Sequence, residues 1–260
     1  MRGTVDGFNY GLITPIAAYL MACLGAALGL RCTTRSLRAE HSWRKAGWLA
    51  LGAGAIGSGI WTMHFIAMIG FNVEETPISY DGTLTILSLF VAIVMVGIGV
   101  FVVGYRGASR WTLALAGTVT GLGVAAMHYT GTAGIRLAGH LEYAAPTVAA
   151  SIVVAVVAAT AALWAAVSIH GFFASLGASV VMGIAVTGMH YIGMAAVTVH
   201  VQSAASSTGS DFPASFILPV LLGPVVFLIL AAVIVMFDPL LVLGDQWDRP
   251  AAQPRTHHNG

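Results

Sequence analysis

Long runs of apolar residues alternate with short polar connections along the whole chain. A helix needs about 20 such residues to cross the hydrocarbon core of a bilayer. Seven runs reach about that length: Tyr10–Leu30, Ala46–Gly70, Thr83–Gly104, Trp111–Ile135, Thr147–Ile169, Phe173–Thr198 and Phe216–Phe237. The runs are continuously apolar, whereas a transmembrane β-barrel shows alternating segments of about ten residues. The pattern therefore predicts an all-α membrane protein with seven transmembrane helices.

Composition supports this interpretation. Of 260 residues, 58% are hydrophobic and 8% are charged, and the mean hydropathy is +0.88, whereas about 25% of the residues in soluble domains are charged. The first run is not followed by a convincing cleavage site, so we interpret it as a retained span and not as a signal peptide. Cys23 and Cys32 are about 13 Å apart along that helix, which is too far for a disulfide, so we interpret both as packing residues.

Arginine and lysine are distributed unequally between the two ends of the predicted helices. If the N-terminus lies outside, nine of them fall on the inner side: Arg31, Arg35, Arg38, Arg44, Lys45, Arg106, Arg110, Arg249 and Arg255. The outer side holds two basic residues and five acidic ones: Arg2, Arg136, Glu74, Glu75, Asp81, Glu142 and Asp211. Cytoplasmic loops carry the excess of positive charge in membrane proteins. We therefore predict that the N-terminus is outside and the C-terminus inside.

Three segments within the apolar runs resemble one another: GSGIWTMHFIAMIGF, GLGVAAMHYTGTAGI and GIAVTGMHYIGMAAV. They align on His64, His128 and His190, which are 64 and 62 residues apart. Each histidine follows a methionine and precedes an aromatic residue, with a glycine seven residues earlier and a small residue five residues earlier. Because the interval covers two spans, we predict three repeated two-helix hairpins with a seventh helix appended.

All three histidines lie on even-numbered helices that run from inside to outside, six to eight residues before the helix ends. This places the imidazoles at one level, roughly 9–12 Å below the outer surface. The small residues before them suit close approach between helices, although apolar helices are often rich in glycine. Ionisable groups in a membrane usually face the interior of the bundle and have a function. We therefore predict that the three histidines share one site.

Imidazole and thioether groups together are typical ligands of a soft or borderline metal, and thioether in particular selects Cu(I). We predict copper bound by His64, His128 and His190, with methionine sulfurs completing the coordination. The candidate methionines are Met63, Met68, Met127, Met189 and Met194. Met68 and Met194 follow a histidine by four residues and share its helix face, whereas Thr132 takes this place in the second repeat. Each methionine taken alone is also a common filler of apolar cores.

Other chemistries fit the chain less well. No Asp or Glu lies within the predicted spans, which argues against a proton relay and against a general base beside a zinc-bound water. The single lysine, Lys45, lies in an inner loop, so a retinal Schiff base is excluded. A haem held between histidines stays open as an alternative, but three histidines with methionines fit copper better than haem or zinc. The sequence shows no phosphate-binding loop, catalytic triad or CxxC motif, so we do not expect an enzyme.

The segment Met127–Thr130 reads MHYT, which is the signature of the MHYT domain, a bacterial integral-membrane sensor module. The third repeat matches three letters of this signature and the first repeat two, and the chain resembles the family from about Tyr10 to Phe237. The resemblance implies an inner-membrane protein whose Met and His residues bind copper near the outer face and thereby detect O2, CO or NO. It also implies signalling to a cytoplasmic output domain, commonly one that makes or degrades cyclic di-GMP.

The expected organisation is an outer N-terminus at residues 1–9, the seven-helix sensor domain at residues 10–237 and a disordered cytoplasmic tail at residues 238–260. The tail is too short for an enzyme domain, and we interpret His257 and His258 as part of it and not as a metal site. We therefore expect the signal to pass through the basic loop Arg31–Lys45 to a separate cytoplasmic or membrane partner.

Tyr129 and Tyr191 have two interpretations. They contact a bound ligand or orient an imidazole, as Thr130 of the motif also could, or they anchor the helices at the outer interface, which we favour. Two other functions use the same residues. A copper carrier needs ligands along a path, and the inner half offers only Met95, Met182 and Cys23. A redox protein containing haem or copper is the third alternative.

Overall fold

The computed structural model describes residues 2–169, 171–201, 212–213 and 217–237. Seven helices occupy the predicted apolar runs: α1 Ile13–Arg38, α2 Ser42–Ile69, α3 Gly82–Arg106, α4 Arg110–Ala133, α5 Ala145–Ser168, α6 Phe172–Ala195 and α7 Ile217–Met236. The helical fold class is confirmed. The predicted tail at residues 238–260 lies outside the described residues, as do Asp211, Arg249, Arg255, His257 and His258.

Six of these helices are long and apolar enough to cross a membrane, and α4 is not one of the six. Its sequence, RWTLALAGTVTGLGVAAMHYTGTA, contains five threonines and four glycines beside its histidine, and these residues lower its hydropathy. The same residues give α4 its close contacts with neighbouring helices. The chain is thus a multi-pass membrane protein, whereas the count of seven spans and the orientation stay predictions.

The first helix continues well beyond the predicted end of its apolar run at Leu30. It ends at Arg38, and α2 begins at Ser42, so most of the predicted basic loop Arg31–Lys45 is helical. The reason is that basic side chains in a last helical turn interact favourably with the unpaired carbonyls there, and α1 ends with Arg35 and Arg38. The positive charges therefore sit on rigid helix ends.

The first six helices form a ring in which each packs against the next and α6 returns to α1, while α7 lies outside against α1 and α2. The glycine seven residues before each histidine makes these contacts possible. A Cβ atom at these positions would meet the next helix at once: Gly57 with Ile93 of α3, Gly121 with Val156 of α5, and Gly183 with Cys23 of α1. The glycines therefore serve close helix approach. Both cysteines are free, in agreement with packing roles.

The outer connections contain short strands that the sequence analysis did not predict. They are β1 Val5–Asp6, β2 Asn72–Val73, β3 Ser79–Tyr80, β4 Ile135–Arg136, β5 Gly139–Tyr143, β6 Val197–Val201 and β7 Phe212–Pro213. All pairs are antiparallel: β1 with β2, β3 with both β4 and β7, and β5 with β6. The β1–β2 ribbon joins the N-terminal segment to the α2–α3 connection, and the other two sheets join the connections between helices to one another, so the strands tie these ends of the three hairpins together.

Candidate metal centre

The ring of helices brings His64, His128 and His190 together, and we call these three residues the histidine triad. The Nδ1 atom of His64 lies 3.0 Å from that of His190 and 3.2 Å from that of His128, and the third distance is 3.3 Å. The three nitrogens therefore form an almost equilateral triangle. This geometry agrees with the prediction that the three histidines, one from each repeat, lie at one level and share one site.

The three rings are arranged like the blades of a propeller. Their planes are 83° to 88° apart, and their centroids are separated by 4.9 to 5.1 Å. The point equidistant from the three Nδ1 atoms lies about 1.8 Å from each, which is close to the 2.0–2.1 Å typical of imidazole–zinc bonds. The triangle thus has the right size for one ion.

Three neutral imidazoles cannot satisfy one another in this arrangement. A neutral ring carries its proton on one of two nitrogens, so each Nδ1 either donates or accepts. With three Nδ1 atoms in mutual contact, at least two are of the same kind, and two lone pairs or two N–H groups then face each other. A cation held by the triad would remove this conflict, because all three nitrogens could then direct a lone pair at it. The residues present therefore fit a metal held by three imidazoles.

The triad is enclosed by protein. His64, His128 and His190 are 1%, 0% and 2% exposed. The aromatic residue after each histidine presents its ring at a steep angle to that histidine, with centroids 4.7 Å apart for Phe65, 4.8 Å for Tyr129 and 5.1 Å for Tyr191. These contacts restrict the imidazole rings, so the repeated aromatic positions help to hold the geometry of the site.

Two glycines that the sequence analysis missed form part of the site. A Cβ atom at Gly131 of α4 would lie 2.6 Å from Nε2 of His64, and one at Gly193 of α6 would collide with Nε2 of His128. The imidazoles of His64 and His128 thus pack against the backbone of the next histidine-bearing helix. The sequence contains a pattern that could have identified them, because the residue three positions after each histidine is small: Ala67, Gly131 and Gly193.

The predicted methionines are neighbours of the triad in the chain and are mostly buried. Met63, Met68, Met127 and Met189 are at most 1% exposed, and Met194 is half-buried. Met189 lines an apolar cavity on the inner side of the triad. The methionines thus form part of the core around the site, and their role as copper ligands stays a prediction.

Two polar side chains near the triad, Tyr129 and Thr132, have hydrogen-bond partners other than the imidazoles. The hydroxyl of Tyr129 lies 2.6 Å from the Ser151 hydroxyl of α5, and Thr132 donates to the backbone carbonyl of His128 at 3.1 Å. The Tyr191 hydroxyl is buried without a partner among the described residues. Thr130 is half-buried. Tyr129 therefore joins α4 to α5, and its predicted roles at a ligand or at the interface stay untested.

The outer side of the triad is covered by the N-terminal segment and the ribbons. Phe8 stacks on Tyr191 with ring centroids 5.5 Å apart. The backbone N–H of Gly3 donates to the carbonyl of Val199 in β6 at 2.8 Å. The N-terminal segment is therefore packed against the strands and the aromatic residue beside His190, whereas its predicted position outside the cell stays a prediction.

Comparison with known proteins identifies the module. The family model for MHYT, described as a bacterial signalling protein N-terminal repeat, matches residues 57–116 and 121–179. The chain belongs to the MHYT family. The matched segments contain His64 and His128, and His190 lies outside both, so the third repeat rests on the sequence alignment and on the geometry of the triad. MHYT is a membrane domain, and this multi-pass module belongs to the inner membrane.

Characterised relatives are longer signalling proteins. The chain is 40% identical over 167 residues to the bifunctional diguanylate cyclase/cyclic di-GMP phosphodiesterase MucR of Pseudomonas aeruginosa, covering 62% of this chain and 24% of MucR. It is 34% identical over 213 residues to the cyclic di-GMP phosphodiesterase NbdA of the same organism, covering 76% and 26%. It is also 27% identical over 188 residues to the signaling protein YkoW of Bacillus subtilis, covering 70% and 23%.

This MHYT chain therefore spans about a quarter of the length of these relatives. No catalytic domain lies in its matched residues 57–116 and 121–179. No solved structure matches it.

Proposed function

We propose that this MHYT module is a sensor in which the histidine triad holds one copper ion and a diatomic gas, O2, CO or NO, is the signal. The observation that carries the proposal is the buried triangle of Nδ1 atoms, 3.0 to 3.3 Å apart, whose unfavourable contacts a central cation would relieve. Copper in this position would supply an open coordination position for a small ligand.

The donor set favours copper over the other metals considered. Three imidazoles also hold zinc in sites that keep an open fourth position, so the preference for copper rests on the methionines that neighbour the histidines in the chain, because thioethers select Cu(I). If two of the histidines held a haem between them, its iron and the plane of its macrocycle would have to fit between the two coordinating nitrogens. The Nδ1 separations of 3.0 to 3.3 Å leave no room for this.

Helix α2 is the element best placed to carry a change from the site towards the inner face. It holds His64 near its outer end, and it packs along α7. The ring of Phe227 in α7 fills the space left by Gly54 of α2. At the inner ends, the guanidinium of Arg35 donates to the carbonyl of Val235 at 2.9 Å. A shift of α2 at the site would therefore also displace α7.

The receiver of the signal is proposed from the relatives. MucR and NbdA are named for enzymes of cyclic di-GMP turnover. We infer that a domain or protein of this class is the partner of the module, and that the inner ends of α1, α2 and α7 are the surface that contacts it.

The test is the copper content of the protein purified in detergent. We expect about one copper ion per chain in the wild type and its loss in a variant carrying His64→Ala, His128→Ala and His190→Ala. The matched control carries His140→Ala and His200→Ala, because these two imidazoles stack on the outer ribbon with centroids 5.0 Å apart and are the obvious place for adventitious binding. Equal copper in the wild type and the triad variant would contradict the proposal.

The geometry gives less support to a copper carrier. The residues directly below the triad are mostly aliphatic, with Met182 as the inner candidate among them, whereas Met95 packs its side chain against Gly123 of α4. Copper uptake into vesicles that contain the wild-type protein would favour the carrier over the sensor.

A further inference from the structure

An apolar cavity of about 50 Å³ lies directly on the inner side of the histidine triad. Three of its lining residues are Ile60, Val124 and Val186, and each precedes a triad histidine by four residues. Residues four apart share a helix face, so all three repeats contribute the wall that adjoins the imidazoles. Met189, the neighbour of His190, also lines the cavity. The triad thus lies at the outer end of this space.

The chemistry of the lining excludes water as a stable occupant. A buried water needs two to four polar partners, and Thr120 is the one polar side chain among the lining residues. Its hydroxyl is directed at the carbonyl of Met95, 3.5 Å away. Apolar cavities of this kind stay dry and bind nonpolar guests such as xenon or benzene.

The size and position of the cavity select its occupant. An engineered cavity of about 150 Å³ accepts benzene, so a cavity of about 50 Å³ takes only a single heavy atom or a diatomic molecule. Half-buried lining residues on α5 and α6, such as Ala158, Ala162 and Met182, lie on the side towards the lipid. Nonpolar gases dissolve better in lipid than in water, so this side is the natural source of such a guest.

We propose that the cavity is a binding site for one small nonpolar molecule, a diatomic gas under natural conditions, held next to the histidine triad within the membrane. Its role in sensing rests on the proposed function, whereas the binding itself depends only on the cavity.

Xenon is the probe that tests this site. Metal-free protein in nanodiscs is titrated with xenon and followed by ¹²⁹Xe NMR. We expect one saturable site per chain in the wild type and its loss in Ala159→Leu, because Ala159 lines the cavity on α5 and the larger side chain fills it. The matched control is Ala161→Leu, which makes the same change on the exposed face of the same helix and should keep the site.

A second variant covers the case in which Ala159→Leu fails to fold. Val124→Ala removes two methyl groups from the wall, so we expect tighter xenon binding than in the wild type. No saturable xenon site in the wild type, equal xenon binding in Ala159→Leu and Ala161→Leu, or a lipid chain found in the cavity would overturn the proposal. Because metal-free protein is used, failure of copper binding leaves this result unaffected, and the reverse also holds.

Discussion

Gly193 shows at the scale of one residue how an absent side chain shapes the site. The imidazole of His128 occupies the space where a Cβ of Gly193 would be. Any other residue would push this ring, and with it the Nδ1 atom, out of the triangle. A shift of a few tenths of an ångström is large compared with the tolerance of metal–ligand bonds, so the glycine is a positioning residue of the site.

We predict that Gly193→Ala weakens copper binding by roughly 10- to 100-fold, the range typical of changes around metal ligands. The measurement is competition with a chromogenic Cu(I) chelator. The control is Gly188→Ala on the same helix, since a Cβ there meets nothing within 4 Å. Replacing a helical glycine by alanine is otherwise favourable by up to about 1 kcal/mol, so the control should keep its copper affinity. Equal affinities in the two variants would remove Gly193 from the site.

The sequence was most informative at the residue scale where a repeat could be aligned. The three Met-His-aromatic segments were enough to predict that His64, His128 and His190 share one level. The role of Gly131 and Gly193 depends on which neighbouring helix each imidazole meets. Spacing within one repeat does not contain that information, although the small residue three positions after each histidine is visible in the sequence.

At the scale of elements, helices were predicted well and their connections poorly. Long apolar runs determine helices because backbone polar groups in lipid must pair within the segment. The strands of the outer connections depend on pairing between residues far apart in sequence, for example β3 with β4 and β5 with β6. Two-residue strands have too little pattern of their own to be recognised before their partners are known.

Asp81 connects one of these ribbons to a helix. Its carboxylate accepts a hydrogen bond from the backbone N–H of Leu84 at 2.9 Å, which caps α3, and it pairs with Arg136 of β4 at 3.0 Å. The N–H of Leu84 and, to a smaller extent, the Arg136 guanidinium hold the pKa of Asp81 below its ordinary value. A carboxylate with a lowered pKa in the folded protein contributes stability that is complete above the unfolded-state pKa, about 3.9, and is lost as the pH falls through the folded-state pKa.

We predict that Asp81→Ala destabilises the protein at pH 7 by about 1 kcal/mol, the usual cost of a lost N-cap, and that the difference from the wild type shrinks below about pH 4. Asp81→Asn keeps the cap and loses the partly exposed ion pair, so its cost should be below about 1 kcal/mol. Thermal unfolding in detergent at pH 7 and pH 3 measures both.

Ser109→Ala is the matched control for this pH dependence. Ser109 caps α4 by accepting from the backbone N–H of Thr112 at 3.2 Å and carries no titratable group. Its cost should therefore be the same at both pH values. If Asp81→Ala were equally insensitive to pH, the carboxylate charge would have no part in holding β4 to α3.

At the scale of the whole molecule, the ring of six helices and the seventh helix have different tasks. The pseudo-threefold ring builds the histidine triad from three equivalent hairpins. Helix α7 breaks this symmetry because it packs mainly on α1 and α2. An ion bound by the symmetric ring could thus displace the side of the ring that carries α7 more than the other sides. A sensor needs such a difference if its signal reaches the partner at one surface.

This asymmetry leads to a prediction about movement at the inner face. Cu(I) should change the distance between spin labels at Met236, at the end of α7, and Trp111, at the start of α4, since both side chains are more than 70% exposed. The measurement is pulsed electron paramagnetic resonance in a background without Cys23 and Cys32. Phe227→Ala should reduce the change, because it removes the ring that fills the space beside Gly54.

Two further variants separate this coupling from other effects of copper. His64→Ala should abolish the change, because α2 then contributes no imidazole to the triad, whereas Leu230→Ala, on the lipid-facing side of α7, should leave it intact. If α7 moved equally in Phe227→Ala and in Leu230→Ala, the contact with α2 would not be the route. If α7 stayed still in the copper-loaded wild type, the signal would have to leave through the inner ends of α1 and α2 alone, and the appended helix would serve only to pack against the ring.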